Sequence, residues 1–164
     1  MSHIFRPAAP ADLPILESLY ADARRFMAEA GNPGQWTGGY PSRGQISADI
    51  AAGKLYLCCE GAEILAAFYY DQGPEPEPCY RVIEGAWGRG GPYGVLHRVA
   101  VAPGAHGRGV AAECFAWCFA RCGHLRIDTH EKNRPMQRAL LKNVFVRCGT
   151  IRLENGEPRW AYEK

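Results

Sequence analysis

The segment from Tyr93 to Cys122 constrains the fold most, because it joins a strand, a glycine-rich turn and a helix without interruption. Tyr93 to Val101 predicts a strand, which a Pro-Gly pair ends immediately afterwards. Gly109 to Cys122 is apolar at almost every position, and Glu113 and Arg121 are its only charged side chains. This pattern predicts a helix that is buried on more than one side.

Helical and strand-like segments alternate along the chain, which favours a mixed α/β layer architecture. The predicted helices are Ala11 to Ala30, Ser42 to Ala52, Gly109 to Cys122 and Pro135 to Asn143. The predicted strands are His3 to Arg6, Lys54 to Glu60, Glu63 to Asp71, Tyr93 to Val101, Leu125 to Thr129, Phe145 to Leu153 and Arg159 to Tyr162. The proline-rich stretch Gly73 to Pro78 predicts a surface loop, because proline cannot donate to a sheet ladder. With 164 residues, we expect one domain over 1–164.

Charge and targeting signals exclude several classes of partner. The formal net charge is only +2, which provides no strong attraction to nucleic acid or to a membrane surface, so we expect neither as a partner. The residues from Met1 to Pro7 lack the basic start and apolar core of a secretory signal. We therefore expect a cytoplasmic location.

The seven cysteines are odd in number and show no Cys-x-x-Cys spacing, which indicates reduced thiols. Cys114, Cys118 and Cys122 recur every four residues and would share one face of a helix. They could bind a soft metal or simply pack as small apolar side chains. We favour packing and expect no metal.

The turn between Val99 and Ala111 suits phosphate binding. Small residues allow the backbone to approach an anion, and the N–H groups that begin a helix supply donors and partial positive charge. Arg108 adds a formal cation. A purely structural turn fits these residues equally well, since a Gly-x-Gly such as Gly107 to Gly109 is common. The chain contains no Gly-Lys-Ser or Gly-Lys-Thr, so a P-loop is excluded, and no parallel repeat precedes the turn as in a dinucleotide-binding fold.

The sequence of this turn carries a family resemblance. The strand end reads Val99-Ala100-Val101-Ala102-Pro103, and the turn reads His106-Gly107-Arg108-Gly109-Val110-Ala111. This succession resembles the signature of the Gcn5-related N-acetyltransferase (GNAT) superfamily. In that signature, a strand ending in Ala-Val-x-Pro is followed by glutamine or arginine, two residues, a glycine, one residue, and then glycine or alanine. His106 takes the place of the glutamine or arginine.

A later motif of the same superfamily is also similar. It is an asparagine that opens a helix ending before Gly-Phe, and here Asn133 opens the helix and Val144-Phe145 follow it. Two positions differ from the family pattern. Leu140 occupies the place of a frequent tyrosine acid, and Val144 replaces the glycine. The resemblance covers almost the whole chain.

The resemblance implies a fold and a cosubstrate. The implied fold is α/β, with a central, mixed, mostly antiparallel sheet that is splayed between its fourth and fifth strands, Val95 to Val101 and Leu125 to Thr129, and flanked by about four helices. The implied cosubstrate is acetyl-CoA, with its pantetheine beside Val99 to Val101 and its pyrophosphate on His106 to Ala111. Asn133 would contact the same molecule from the next helix.

Transfer of an acetyl group to an amine requires a base, because an alkylamine with a pKa near ~10.4 is mostly protonated at neutral pH. Histidine suits this task. Regular strand alternation places His97 on one face with Val95, Val99 and Val101, opposite Leu96, Arg98 and Ala100, so His97 would point towards the acetyl end. The arylalkylamine branch of the family is similar in carrying a histidine four residues before the valine of its Ala-Val. A structural, half-buried histidine is the alternative.

Other residues are candidates for neighbouring roles. His130 is a second candidate base, although an Arg126–Asp128 pair could account for the polar side chains of that strand. Tyr93 is a candidate proton donor, because Leu140 cannot donate. The aromatic residues of the predicted acceptor pocket include Trp36, Tyr40 and Trp87.

These observations predict an N-acetyltransferase that moves the acetyl group of acetyl-CoA to a primary amine of a small molecule or peptide, by direct attack in a ternary complex. The altered His106 and Leu140 positions leave a non-catalytic acyl-CoA-binding or sensing module as the alternative. A pure interaction module, using the apolar helix Gly109 to Cys122, is a third interpretation. We expect a monomer or a homodimer.

Overall fold

The computed structural model describes residues 2–164, and Met1 lies outside the described residues. The strands are β1 (Ile4–Pro7), β2 (Leu55–Glu60), β3 (Glu63–Gly73), β4 (Ile83–Gly85), β5 (Tyr93–Val101), β6 (Leu125–Thr129), β7 (Val146–Arg152) and β8 (Pro158–Glu163). The helices are α1 (Leu13–Glu29), α2 (Arg43–Ala51), α3 (Val110–Cys122) and α4 (Arg134–Lys142). All eight strands form one sheet in the order β1-β2-β3-β5-β6-β8-β7-β4.

The sheet is mixed because β5 and β6 run parallel, whereas the other neighbouring strands are antiparallel. β5 and β6 pair only through Gly94 with Leu125 and Val95 with Arg126, and they separate beyond that point. The predicted splayed α/β sheet with four helices is therefore confirmed. The separating strands are the fifth and sixth of the chain, because the three-residue strand β4, which pairs only with β7, was not predicted.

Apolar side chains cover both faces of the sheet. On one face, α1 and α2 pack on β2, β3 and β5 around Leu16, Leu57 and Ala100. On the other face, α3 and α4 pack around Phe115 and Leu140. A third, smaller cluster lies over β5, β7 and β8, where Tyr80 and Trp87 pack against the sheet. The two helical layers hold β5 from both sides, which fixes the strand at which the sheet opens.

Glycines set both ends of α3. Gly109 lies at the N-cap with φ of 76°, and Gly123 lies at the C-cap with φ of 65°. Glycine adopts this left-handed region without the steric penalty of a side chain. The predicted helix from Gly109 to Cys122 is thus confirmed, with Gly109 as its cap.

The cysteines of α3 pack in the core. Cys114 and Cys118 have no exposed surface, and all seven cysteines are free thiols. Within residues 2–164, no group of three side chains is placed to bind a metal ion. None of the helices in the same range is both long and apolar enough to cross a membrane.

Val144 follows the end of α4 in a conformation that suits glycine. Its φ is 70°, the residue is 71% exposed, and the N–H of Phe145 donates to the carbonyl of Leu140 at 3.0 Å. A side chain in this left-handed region costs ~1–2 kcal/mol, and a β-branched one is especially crowded.

We predict that Val144→Gly stabilises the fold by about 0.5–1 kcal/mol, because relief of this strain exceeds the extra backbone entropy of glycine in the unfolded chain. The expected rise in melting temperature is about 1–4 °C. Val146→Gly is the matched control, since Val146 is similarly exposed but lies in β7. It should lower the melting temperature, and equal destabilisation by both substitutions would contradict the prediction.

Candidate functional site

A β-bulge lies in β5 where the sheet opens. Tyr69 of β3 pairs with His97 and Ala67 pairs with Ala100, so the single residue Phe68 stands opposite two residues, Arg98 and Val99. Arg98 adopts the left-handed conformation with φ of 52°. An extra residue of this kind reverses the alternation of side chains along a strand.

The prediction that His97 shares one face of β5 with Val99 and Val101 is therefore wrong. His97 shares a face with Ala100, because their partners Tyr69 and Ala67 lie two residues apart on β3. Val99 and Val101 pack against the opposite core, on the α3 side. The bulge thus gives β5 an apolar edge towards α3 and a histidine on the other face.

Polar contacts hold the bulge in place. The guanidinium of Arg98 donates to both oxygens of Asp49, at 2.7 and 3.0 Å, and to the hydroxyl of Tyr40 at 2.8 Å. The Tyr20 hydroxyl donates to the Arg98 carbonyl at 2.7 Å, and burial raises the pKa of Tyr20, so it remains a donor. The Arg98 and Asp49 side chains are only 11% and 6% exposed. A buried ion pair therefore offsets the backbone strain at Arg98.

One cavity, of about 340 Å³, lies between the end of β5 and the start of α3, and we call it the turn cavity. Val99, Ala100, Val101, His106, Gly107, Gly109, Val110, Ala111 and Asn133 line it. Phe26 and Met27 of α1 and Met136 of α4 supply apolar walls. The first N–H groups of α3 have no partner within their own helix, so they remain available to an anion.

A second cavity, of about 450 Å³, adjoins the first, and we call it the acidic cavity. Residues 35–40 form one wall, Glu77 and Cys79 another, and the β7–β8 hairpin a third. Four residues line both cavities: Met27, Val99, Asn133 and Met136. The two spaces therefore meet beside the bulge.

His97 lies between two carboxylates in the acidic cavity. Its Nε2 is 2.8 Å from Glu77 Oε2, and its Nδ1 is 4.0 Å from Asp128 Oδ2. The Tyr80 hydroxyl donates to Asp128 at 2.6 Å. The hydrogen bond with His97 lowers the pKa of Glu77, so Glu77 is an ionised acceptor near neutrality. Since a carboxylate only accepts, His97 Nε2 carries the hydrogen, and in the neutral ring Nδ1 keeps its lone pair.

Solved structures share this architecture. A GNAT-family acetyltransferase from Streptococcus agalactiae 2603 is 32% identical, with a TM-score of 0.86, over 99% of this chain and 94% of that chain. The chain belongs to the GNAT family. A GNAT-family acetyltransferase from Listeria monocytogenes 4b F2365 is 20% identical, with a TM-score of 0.69, over 99% and 94% of the two chains. An N-acetyltransferase from Staphylococcus aureus Mu50 is 16% identical, with a TM-score of 0.66, over 100% and 98%. Neither a family model nor a curated protein matches the sequence.

Most of the predicted cofactor residues of this GNAT protein surround the turn cavity, but Arg108 does not. The Arg108 side chain donates to Glu60 at 2.8 Å and does not line the turn cavity. His106, at the altered signature position, points its Nε2 at the Val101 carbonyl at 3.0 Å and meets the ring of Phe26 edge-on. Asn133 caps α4 by accepting from the Met136 N–H, and it donates to Gln35 at 2.9 Å.

Among the predicted acceptor residues of the GNAT site, Trp36 and Tyr40 line the acidic cavity, whereas Trp87 does not. Trp87 donates to the Tyr80 carbonyl at 2.8 Å and stacks against Arg126 at 4.3 Å. It is held in the third core cluster. Its position is a correction to the sequence prediction, since an aromatic residue in a glycine-rich loop packs equally well against the sheet.

Tyr93 and His130 also lie away from the acidic cavity. Tyr93 is 3% exposed and donates to the Glu77 backbone carbonyl at 3.1 Å, so its hydroxyl supports the Glu77 loop and cannot reach the cleft. His130 follows β6, its Nδ1 accepts the Lys132 N–H at 3.1 Å, and burial lowers the pKa of its imidazole. Arg126 donates to Glu163 at 3.0 Å, so the alternative of an Arg126–Asp128 pair is wrong.

Several residues of this GNAT site carried no clear sequence signal. Glu77 lies in the loop that was predicted only from its prolines, and Asp49 lies in a helix with an ordinary polar face. Gln35 precedes Trp36 and lines the same wall of the acidic cavity. Trp36 was the residue from which the sequence predicted that wall. Leu140 is fully buried and offers no hydroxyl. Thr129 lines the acidic cavity, and its buried Oγ1 has no hydrogen-bond partner among residues 2–164.

We predict that Asp49→Asn destabilises the GNAT fold by about 3 kcal/mol, because it leaves the buried Arg98 cation without its counter-ion. Asp71→Asn is the matched control, since Asp71 pairs with Lys54 at a more exposed position and should cost at most ~1 kcal/mol. Urea denaturation provides the measurement. Equal losses for the two substitutions would show that the Asp49 pair does not support the bulge.

Proposed function

We propose that this protein is an acetyl-CoA-dependent N-acetyltransferase whose acceptor is a primary amine. The observation that carries the proposal is the meeting of the turn cavity and the acidic cavity at Val99, with His97 on the adjoining stretch of β5. The first cavity has the donors and apolar walls for the cosubstrate. The second has the carboxylates for an amine.

The turn cavity suits acetyl-CoA for two reasons. The glycines and the first turn of α3 present N–H groups that can bind a pyrophosphate. Beyond Val95, β5 does not pair with β6, so backbone groups between 96 and 101 can pair with the amide groups of a pantetheine arm, apart from the Arg98 carbonyl, which accepts from Tyr20, and the Val101 carbonyl, which His106 contacts. Met27, Val99 and Met136 offer apolar contacts to the same arm. When bound, acetyl-CoA supplies an electrophilic thioester carbonyl.

Glu77 and His97 provide the proton transfer. Glu77 accepts the Nε2 hydrogen of His97, and this fixes the tautomer in which Nδ1 is the base. His97 Nδ1 takes one proton from the ammonium, the neutral amine nitrogen bonds to the acetyl carbon as the carbon–sulfur bond breaks, and the second nitrogen proton passes through water to the departing thiolate. Asp128, 4.0 Å from Nδ1, stabilises the positive charge that His97 then carries.

The lack of an acid at Leu140 is compatible with turnover. A thiol has a pKa of about 8.5, so the thiolate can depart without an adjacent acid and take its proton through water. The alternative is a non-catalytic acyl-CoA-binding module, for which Leu140 is the supporting observation. Binding without turnover would favour it.

The first test is whether acetyl-CoA binds and is consumed. We expect acetyl-CoA to raise the melting temperature of the protein. We also expect at least one amine of a panel to cause release of CoA, which is measured by chromatography. Chromatography avoids reaction of thiol reagents with the seven free cysteines. If acetyl-CoA produces no stabilisation, the proposed function is wrong.

We predict that His97→Gln lowers kcat by about 100-fold or more and leaves the acetyl-CoA-induced stabilisation intact. Glutamine can still donate to Glu77 but cannot accept the amine proton. His3→Gln is the matched control and should retain activity within about 2-fold, because His3 also contacts a carboxylate, that of Glu113, but lies outside both cavities. Full activity of His97→Gln between pH 6 and 9 would exclude His97 as the base.

A further inference from the structure

We propose that the acceptor amine also carries a carboxylate, so that an aminocarboxylate lies in the acidic cavity with its ammonium near Glu77 and Asp128 and its carboxylate on Arg159. This inference rests on the proposed acetyl transfer. It adds the substrate class, which the family relationship leaves open because GNAT folds do not fix the acceptor.

The carboxylates of the acidic cavity can accept further hydrogen bonds from a ligand. Among residues 2–164, neither Glu77 nor Asp128 has a lysine or arginine within 4.0 Å, and His97 and Tyr80 are their main side-chain partners. The Glu77 and Asp128 side chains are 22% and 9% exposed, so water screens them only partly. A primary ammonium can donate to a carboxylate here and lose its proton to His97 Nδ1.

Arg159 forms the positive side. Its side chain is only 5% exposed, and it lines the acidic cavity. Nη1 donates to the neighbouring Pro158 carbonyl at 2.9 Å, and Nη2 donates to Glu157 at 3.1 Å. A guanidinium has five N–H donors. Those of Arg159 that Pro158 and Glu157 do not accept have no acceptor within residues 2–164. The partner Glu157 is itself 52% exposed and compensates the buried charge weakly.

Arg98 lines the same cavity but cannot fill this role. Asp49 and Tyr40 accept from Nε and both terminal nitrogens of its guanidinium. Of the two arginines that line the acidic cavity, only Arg159 has N–H groups available to a ligand. A carboxylate is the anion that a planar guanidinium binds with two parallel hydrogen bonds.

The register of the sheet places the two poles within reach of one small molecule. Asp128 of β6 is opposite Ala161 of β8, and Arg159 lies two residues from Ala161 on the same face. Such diagonal neighbours have Cα atoms roughly 7–8 Å apart. A diamine fits this arrangement poorly, because its second ammonium would face the buried Arg159 cation. Trp36 and Tyr40 remain available to the rest of the acceptor.

The test compares each common amino acid with its decarboxylated amine, for example phenylalanine with phenethylamine and lysine with cadaverine. We expect at least one amino acid to show a kcat/KM about 10-fold or more above its decarboxylated partner. Arg159→Gln should lower kcat/KM for the amino acid by about 10- to 100-fold and change that of the amine by less than about 3-fold. Arg152→Gln is the matched control, because Arg152 is an exposed arginine of β7 outside the cavity, and it should change neither value.

The outcomes separate the substrate class from the reaction. If decarboxylated amines react as well as their amino acids, or if Arg159→Gln impairs both equally, the carboxylate site is wrong and acetyl transfer stands. If acetyl-CoA stabilises the protein but no amino acid is acetylated, the inference is overturned as well. If acetyl-CoA neither binds nor reacts, the proposed function itself fails.

Discussion

The short parallel contact between β5 and β6 is the constraint on which the rest of the structure depends. Two residue pairs join these strands before they separate, so two central strands present open edges in the interior of a sheet. Unpaired backbone groups need other partners, and a narrow opening of this kind suits an extended, amide-containing ligand. Helices on both sides fix β5 while leaving that opening clear. The same separation forms the boundary between the turn cavity and the acidic cavity.

The bulge at Arg98 converts this opening into a site with two different sides. It gives Val99 and Val101 to the α3 side and leaves His97 facing Glu77 and Asp128. Its left-handed residue is strained, and the buried contact with Asp49 offsets that strain. Backbone strain that is held by a buried ion pair next to a charged cavity is typical of a functional site. Stability and chemistry are therefore coupled at one residue.

The sequence predicted the parts of this protein that depend on local patterns. The α3 boundaries followed from Gly109 and the apolar run after it. The turn residues were identified through the family resemblance, because their glycines alone fit a structural turn equally well. Nonlocal contacts were not predictable. Regular alternation put His97 beside Val99, because nothing in a Leu-His-Arg-Val segment reveals a bulge that depends on Asp49. Proline-rich spacing showed that Glu77 lies in a loop but not that the loop folds back onto His97.

Hydrogen exchange with and without acetyl-CoA tests the central claim most directly, since it reports where the backbone becomes protected. At short exchange times, we expect protection to increase in peptides covering 96–112 and the start of α4, while the β2–β3 hairpin changes little. Ligand-dependent order at the open edge of β5 would give this pattern. Protection confined to other segments, or no change in β5 at saturating acetyl-CoA, would contradict the placement of the cosubstrate in the opening between β5 and β6.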